Sequence, residues 1–178
     1  MLPLDQSRVD GRERSGEADL LTVAGVRGVL VGVGNPHFVV PVDGDPVVSG
    51  IFPGPGGVPV TAHAPVDGAA GGFGASIETH PAFPQRTNVH AMERCAGDTL
   101  SVANHERGAG RTLACGTGAV AAVRVAQLLG WVGPGARVVM EGGVLDVTID
   151  GSGEASLTGP AVVSFDGSVA FPSSEHAV

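Results

Sequence analysis

The sequence predicts an α+β fold: a curled, mostly antiparallel, barrel-like sheet around one buried central helix. Three observations carry this expectation. Residues 118–129 are almost entirely Ala, Val and Leu, with only Arg124 and Gln127 polar, and a helix apolar on all sides is a buried one. Short β-branched runs recur on both sides of it, each bounded by Gly, Pro, Asn or Asp, which is the pattern of strands and turns. Strand–helix–strand units do not repeat, which argues against a doubly wound parallel sheet.

The elements follow in order. Residues 1–18 are polar and aperiodic, and read as a flexible leader to a single domain at 19–171. Leu20–Val23 and Val29–Val33, punctuated by Gly25, Gly28 and Gly32, predict two short strands joined by a turn. Asn35-Pro36 signals a turn, followed by a strand at Phe38–Val40. Residues 41–75 are dense in Gly and Pro, including Pro53–Gly57, and read as a long loop or a degraded helix. Residues 76–88 hold one helical turn ending at Pro81. Val89–Met92 and Leu100–Ala103 predict two strands around the turn at Gly97. Residues 105–112 read as a glycine-hinged loop. After the helix, Gly130 supplies the C′ position. Glu141-Gly142-Gly143 joins strands at 137–140 and 144–149 as a hairpin. Further short strands are expected at 155–157, 162–165 and 169–171, before a polar tail at 172–178.

The 178 residues carry a formal net charge of −8, which argues against nucleic acid or an anionic membrane surface as partner. Six Phe, one Trp and no Tyr provide no stacking platform for single strands. Two cysteines, Cys95 and Cys115, do not make a disulfide scaffold and fit a reduced, cytoplasmic setting. No apolar stretch suits a signal peptide or a membrane span. The histidines lack metal-ligand spacing, and the nucleotide-loop and serine-elbow motifs are absent. No metal and no nucleotide cofactor are therefore expected.

The chemistry concentrates at His105–Gly130. Glu106 and Arg107 lead into Gly108, Ala109 and Gly110, and the chain then delivers Cys115 to the mouth of the helix. Gly108, Gly110, Gly116 and Gly118 allow close backbone approach and positive φ. The first helical turn offers unpaired N–H groups and the positive end of the dipole. That is a site for a carboxylate, and it draws a nearby thiol toward thiolate. Cys115 has a plainer reading, as a small buried residue at a helix start. The exposed N–H groups expected at Gly116 and Thr117 favour the functional one. His37 is either a cleft-facing side chain or an ordinary turn histidine. Asn88 has the same two readings. Cys95 lies in a polar turn.

Taken together, these segments resemble one half of a known family. Glu106–Gly110 and Ala114–Ala119, preceded by Gly34–His37 and Phe83–Val89, and followed by Glu141–Leu145 and Leu157–Val163, are similar to the C-terminal half of diaminopimelate epimerase. The resemblance implies an isomerase that interconverts LL- and meso-diaminopimelate, a precursor of lysine and cell wall, without pyridoxal phosphate or metal. It implies one of two similar domains, each a curled sheet around a helix. Two cysteines then act as a thiolate/thiol pair on opposite faces of the α-carbon. Carried over by motif, Cys115 is the acid/base of this half. Gly116 and Thr117 bind the α-carboxylate through backbone N–H. Asn35, Asn88 and Arg107 hold other polar groups of the substrate. His37 and Glu106 lie near the reacting amino group and the thiols.

Three departures qualify the match. The family's N-terminal half, with the second cysteine in a G-N-G-x-R-C motif, has no counterpart here. Arg111 stands where the family usually has glutamate. The Gly/Pro-rich stretch replaces a helix-bearing segment. The first implies a partner: a separate N-terminal polypeptide, or a second copy of the chain in a C₂ homodimer. Two alternatives remain from the sequence. One is a truncated or diverged relic that binds amino-acid carboxylates without catalysis. The other is a cysteine nucleophile paired with His37 or His105.

Overall fold

The computed structural model describes residue 4 and residues 6–15, 18–42 and 73–170. It has a mixed α+β architecture built on one ten-stranded sheet. After a 3₁₀ turn at Gln6–Arg8 come β1 (Gly11–Ser15), β2 (Ala18–Val23), β3 (Val26–Gly32) and β4 (Pro36–Pro41). Helix α1 (Phe73–Glu78) leads to β5 (Asn88–Arg94), β6 (Thr99–Glu106) and β7 (Gly110–Thr112). Helix α2 (Gly116–Leu128) is followed by β8 (Gly135–Met140), β9 (Gly143–Ile149) and β10 (Ala155–Thr158).

The strands are ordered β1-β2-β3-β4-β5-β6-β8-β9-β10, with β7 paired to β6. Pairing is antiparallel except at β4–β5 and β6–β8. The mostly antiparallel expectation therefore holds. The path has two ends, at β1 and β10, so the sheet is open and does not close as a barrel.

Both faces of the middle strands are covered, so β4 and β5 are each buried over five consecutive residues instead of at alternating ones. Successive residues point to opposite faces. Leu20, Val29, Val39, Met92 and Val102 pack with the alanines and valines of α2. Their neighbours Leu21, Phe38, Val40, Ala91 and Ala103 pack with Ile77 and Phe83 from α1 and the segment after it. Helix α2 contacts β3, β4, β5, β6, β8, β9 and β10.

Local chemistry explains the joints. Ala24 (φ 49°) and Gly25 (φ 76°) are both left-handed, the requirement of a two-residue hairpin turn. Helix α2 ends in a Schellman arrangement. The Gly130 N–H bonds the Gln127 carbonyl at 2.9 Å and the Trp131 N–H bonds the Ala126 carbonyl at 2.8 Å, with Gly130 at φ 72°. A Cβ on Gly28 would lie 2.6 Å from Phe38 Cζ and 2.9 Å from the Val39 carbonyl oxygen. Gly28→Ala should therefore cost about 1–3 kcal/mol through overpacking, read as a lower urea midpoint. An unchanged midpoint would contradict the packing described.

Several expectations change. Residues 11–15, placed in the leader, form β1 and pair with β2 from Gly11↔Thr22 to Ser15↔Ala18. Residues 110–112, placed in a loop, form β7 against β6. Gly108 and Gly110 do have positive φ, at 80° and 76°, but Gly116 and Gly118 are helical. The strand expected at 162–165 does not form, and residues 169–170 of the one expected at 169–171 are irregular: residues 159–170 carry no regular structure and are exposed. Among the described residues no strand pairs with them. Of the 41–75 segment, Pro41 ends β4 and residues 73–75 begin α1. The remainder from 43 to 72, and the 171–178 terminus, lie outside the described residues.

Candidate active site

Cys115 is the N-cap of α2. Its backbone is extended (φ −143°, ψ 111°), and its carbonyl accepts from the Ala119 N–H at 2.9 Å. Its Sγ accepts from the Gly118 N–H at 3.3 Å. Sulfur here takes the place of the oxygen that caps most helices. The first-turn N–H groups of Gly116 and Thr117 have no intrahelical partner by construction, and both residues are exposed. An anion placed there would meet two donors and the helix dipole beside the sulfur.

Glu106 reaches the same sulfur. It ends β6 and is paired with Gly110 across the β6–β7 turn. The Cys115 Sγ donates to Glu106 Oε2 at 3.3 Å and lies 3.6 Å from Thr117 Oγ1. The sequence suggested a thiol drawn toward thiolate. The structure reverses that. Burial pushes the Cys115 thiol up, hydrogen bonds from Thr117 and Gly118 oppose the rise, and the bond to Glu106 and its charge add to it. The resting sulfur is therefore a thiol, held as a proton donor. Glu106→Gln removes the charge and should speed iodoacetamide alkylation of Cys115 several-fold at about pH 8, because thiolate is the reactive form. Peptide mass spectrometry follows this site separately from Cys95. Slower alkylation would contradict the assignment.

The loop carrying Glu106 is fastened from the α1 face. Glu78 is buried, and its Oε2 lies 2.8 Å from His105 Nε2. Its Oε1 accepts from the Gly108 N–H at 2.9 Å and from Arg86 Nη1 at 3.3 Å. Burial alone would raise the Glu78 carboxyl. The His105 and Gly108 hydrogen bonds and the His105 and Arg86 charges outweigh it and hold the carboxyl below its usual range.

The other expected residues separate into two groups. Asn35 and His37 join a buried line of hydrogen bonds: His37 Nε2 to Asn35 Oδ1 at 2.8 Å, and His37 Nδ1 to His90 Nε2 at 2.8 Å. His90 Nδ1 continues it to Asn104 Oδ1 at 2.9 Å. Asn104 Nδ2 and the Cys115 N–H both reach Met140 Sδ at 3.4 Å. His37 is thus neither an exposed turn residue nor a lone cleft histidine. Asn88 is committed to structure: its Nδ2 donates to the Pro36 carbonyl at 2.9 Å, and its Oδ1 accepts from the Arg107 N–H at 3.0 Å. Arg107 extends its Nη1 to the Gln85 carbonyl at 2.8 Å and is exposed. Arg111 is paired with Glu141 at 2.6 Å, so the reversed charge next to the site is offset locally, although an exposed pair adds little stability. Both cysteines are free.

Sequence reasoning passed over His90, Asn104, Glu78 and Met140. A signal for His90 existed: it lies between Val89 and Ala91 and shares a strand face with Met92, so it had to face a core and find a partner there.

With this geometry in place, comparison with known proteins defines the class. The model of the diaminopimelate epimerase family matches residues 58–164. A diaminopimelate epimerase of Halorhodospira halophila is 38% identical over 148 residues, 83% of this chain and 45% of the relative. One from Synechococcus elongatus is 45% identical over 97 residues, 54% of this chain and 35% of the relative. Among solved structures, a Bacillus anthracis phenazine biosynthesis protein of the PhzF family aligns at 12% identity and TM-score 0.41. That alignment covers 69% of this chain and 33% of that one. The chain belongs to the diaminopimelate epimerase family, a family of isomerases. It spans less than half the length of these curated relatives. Among the described residues no helix is long and apolar enough to cross a membrane.

Proposed function

We propose that this chain supplies one jaw of a cofactor-independent epimerase that interconverts LL- and meso-diaminopimelate. The observation that carries the reading is Cys115 at the α2 N-cap, with its Sγ held by the Gly118 N–H and the Glu106 carboxylate. The substrate α-carboxylate sits on the Gly116 and Thr117 N–H groups. An opposing thiolate removes the α-proton from one face. The Cys115 thiol delivers its own proton to the other face and becomes thiolate, and the reverse direction exchanges the two roles. No net redox change occurs and the proton count balances. The high resting proton affinity of Cys115 suits it to act first as the acid. Two reduced cysteines fit a reducing compartment such as the cytoplasm.

The second thiol comes from a partner, either a polypeptide carrying the N-terminal half or a second copy of this chain. Two observations support this. The matched relatives are more than twice as long as the matching segment. The exposed run after β10 carries Val162, Val163, Phe165 and Val169, exposed by 77–88%, an apolar strip suited to burial against another surface.

The test is α-proton exchange into LL-diaminopimelate in D₂O. The purified chain is assayed alone and mixed with the N-terminal half of a relative, and its mass in solution is measured. Exchange by the mixture supports the separate half. Exchange by a dimer of the chain alone supports the homodimer. Calorimetric binding of diaminopimelate without exchange in either would replace the reading with a non-catalytic carboxylate binder.

A further inference from the structure

We propose that His90 is a positioning residue: it fixes the tautomer of His37 and, through it, turns the Asn35 side-chain amide so that its NH₂ faces His37 and its oxygen faces outward. The inference begins with counting protons. Three contacts, Asn35–His37, His37–His90 and His90–Asn104, lie at 2.8, 2.8 and 2.9 Å. Each requires one hydrogen between its two heavy atoms. If both chain ends were amide oxygens, all three hydrogens would have to come from ring nitrogens. Two neutral imidazoles carry only two.

One end of the line is fixed. Asn104 Nδ2 points at Met140 Sδ, 3.4 Å away, and a thioether sulfur can only accept. Asn104 Oδ1 therefore faces His90, and His90 Nδ1 carries a hydrogen. In the neutral ring His90 Nε2 is then a lone pair, so His37 must donate to it from Nδ1. That leaves His37 Nε2 as a lone pair facing Asn35. Asn35 is only partly buried, and a half-turn of its amide exchanges oxygen and nitrogen at almost no steric cost. The turned amide donates inward and closes the count.

The other solution is a third ring proton, which makes the pair a cation. Both rings are fully buried. Burial lowers the proton affinity of each, and more strongly than Glu106 raises that of His37. Arg107 opposes a charge on His37, and His37 and His105 oppose one on His90. The neutral pair is the stable one.

The helix makes room for His90. Its ring lies against the first turn of α2, where a Cβ on residue 118 would sit 2.5 Å from His90 Cε1. Only glycine at 118 leaves room for the ring in the position that meets His37. On the epimerase reading, the outward oxygen of Asn35 accepts from a substrate ammonium and does not bind a carboxylate. This consequence rests on the proposed function, whereas the tautomers do not.

Long-range ¹H–¹⁵N correlation spectra of the full chain, labelled at histidine, test the proposal at neutral pH. Both His37 and His90 should carry their single hydrogen on Nδ1. A hydrogen on Nε2 of His37, or a doubly protonated ring in either residue, would overturn it. His90→Gln keeps an acceptor toward His37 and a donor toward Asn104, and should leave His37 on Nδ1. His90→Leu removes the acceptor and should release His37 to Nε2. A folded leucine variant with His37 still on Nδ1 would show that His90 does not set it. If the leucine variant does not fold, the wild-type and glutamine spectra decide. Absence of α-proton exchange with the expected tautomers would sink the epimerase reading and leave the relay intact.

Discussion

Cys115→Ala should abolish α-proton exchange in the reconstituted enzyme, and Cys115→Ser should do nearly the same while keeping the fold. Loss of a positioned acid/base costs about 10²–10⁴-fold in rate. Alanine alone would leave the result ambiguous, because Cys115 also caps α2 and loss of a cap costs about 1 kcal/mol. Serine separates the two roles. Its hydroxyl is a better N-cap than a thiol and fits the space between Gly118 N and Glu106, but it does not ionise near neutral pH. Exchange measured by NMR or mass spectrometry should therefore fall similarly in both variants. The urea midpoint should fall in the alanine variant and hold or rise in the serine variant. Substantial exchange by either variant would remove Cys115 from the reaction.

Acid should unfold this chain steeply, starting well above the carboxylate range. His37 and His90 are buried, and burial lowers the proton affinity of both, that of His37 from 6.5 to about 4. The sign follows directly. Above about pH 6.5 the rings are neutral in both the folded and unfolded chains, and the full stability is present. Between about pH 6.5 and 4 the unfolded chain takes up protons that the folded chain refuses. Each group then removes about 1.4 kcal/mol of stability per pH unit. Two such groups over two units approach the whole stability of a typical domain, about 5–15 kcal/mol. Glu78, whose carboxyl is held low, adds to the loss below about pH 4.5. Urea midpoints at half-unit intervals from pH 7.5 to 4.5 give the slope. A flat profile between pH 6.5 and 4.5 would mean that both rings take up protons in the folded chain as readily as in the unfolded one, and half the expected slope would mean that the pair already carries one proton at neutrality.

Much of the site's helix side was legible beforehand, for a simple reason. The α2 sequence is apolar throughout, its C′ glycine is in place, and a cysteine directly precedes its first turn. All of these are local signals. The hairpins at β2–β3, β5–β6 and β8–β9 were legible too, because each turn announces itself within a few residues. Features set by distant partners were not. β1 lies in polar sequence and exists because β2 offers it an edge. Val162–Phe165 has strand chemistry but, among the described residues, no strand paired with it. The thiol's proton affinity was misread because helix geometry is local, whereas burial and the approach of Glu106 belong to the folded chain. His90 was missed because its role depends on His37, fifty-three residues away.

The two parallel ladders, β4–β5 and β6–β8, divide the sheet into three blocks of sequence-local antiparallel strands. Such blocks close quickly, while pairings between distant segments close slowly. The hydrogen-bonded line crosses both seams: His37 to His90 spans the first, and Asn104 and the Cys115 N–H to Met140 span the second. No single block contains a complete site. The chain can hold most of its hairpins and still lack the chemistry, which arrives only with the last long-range closures of folding.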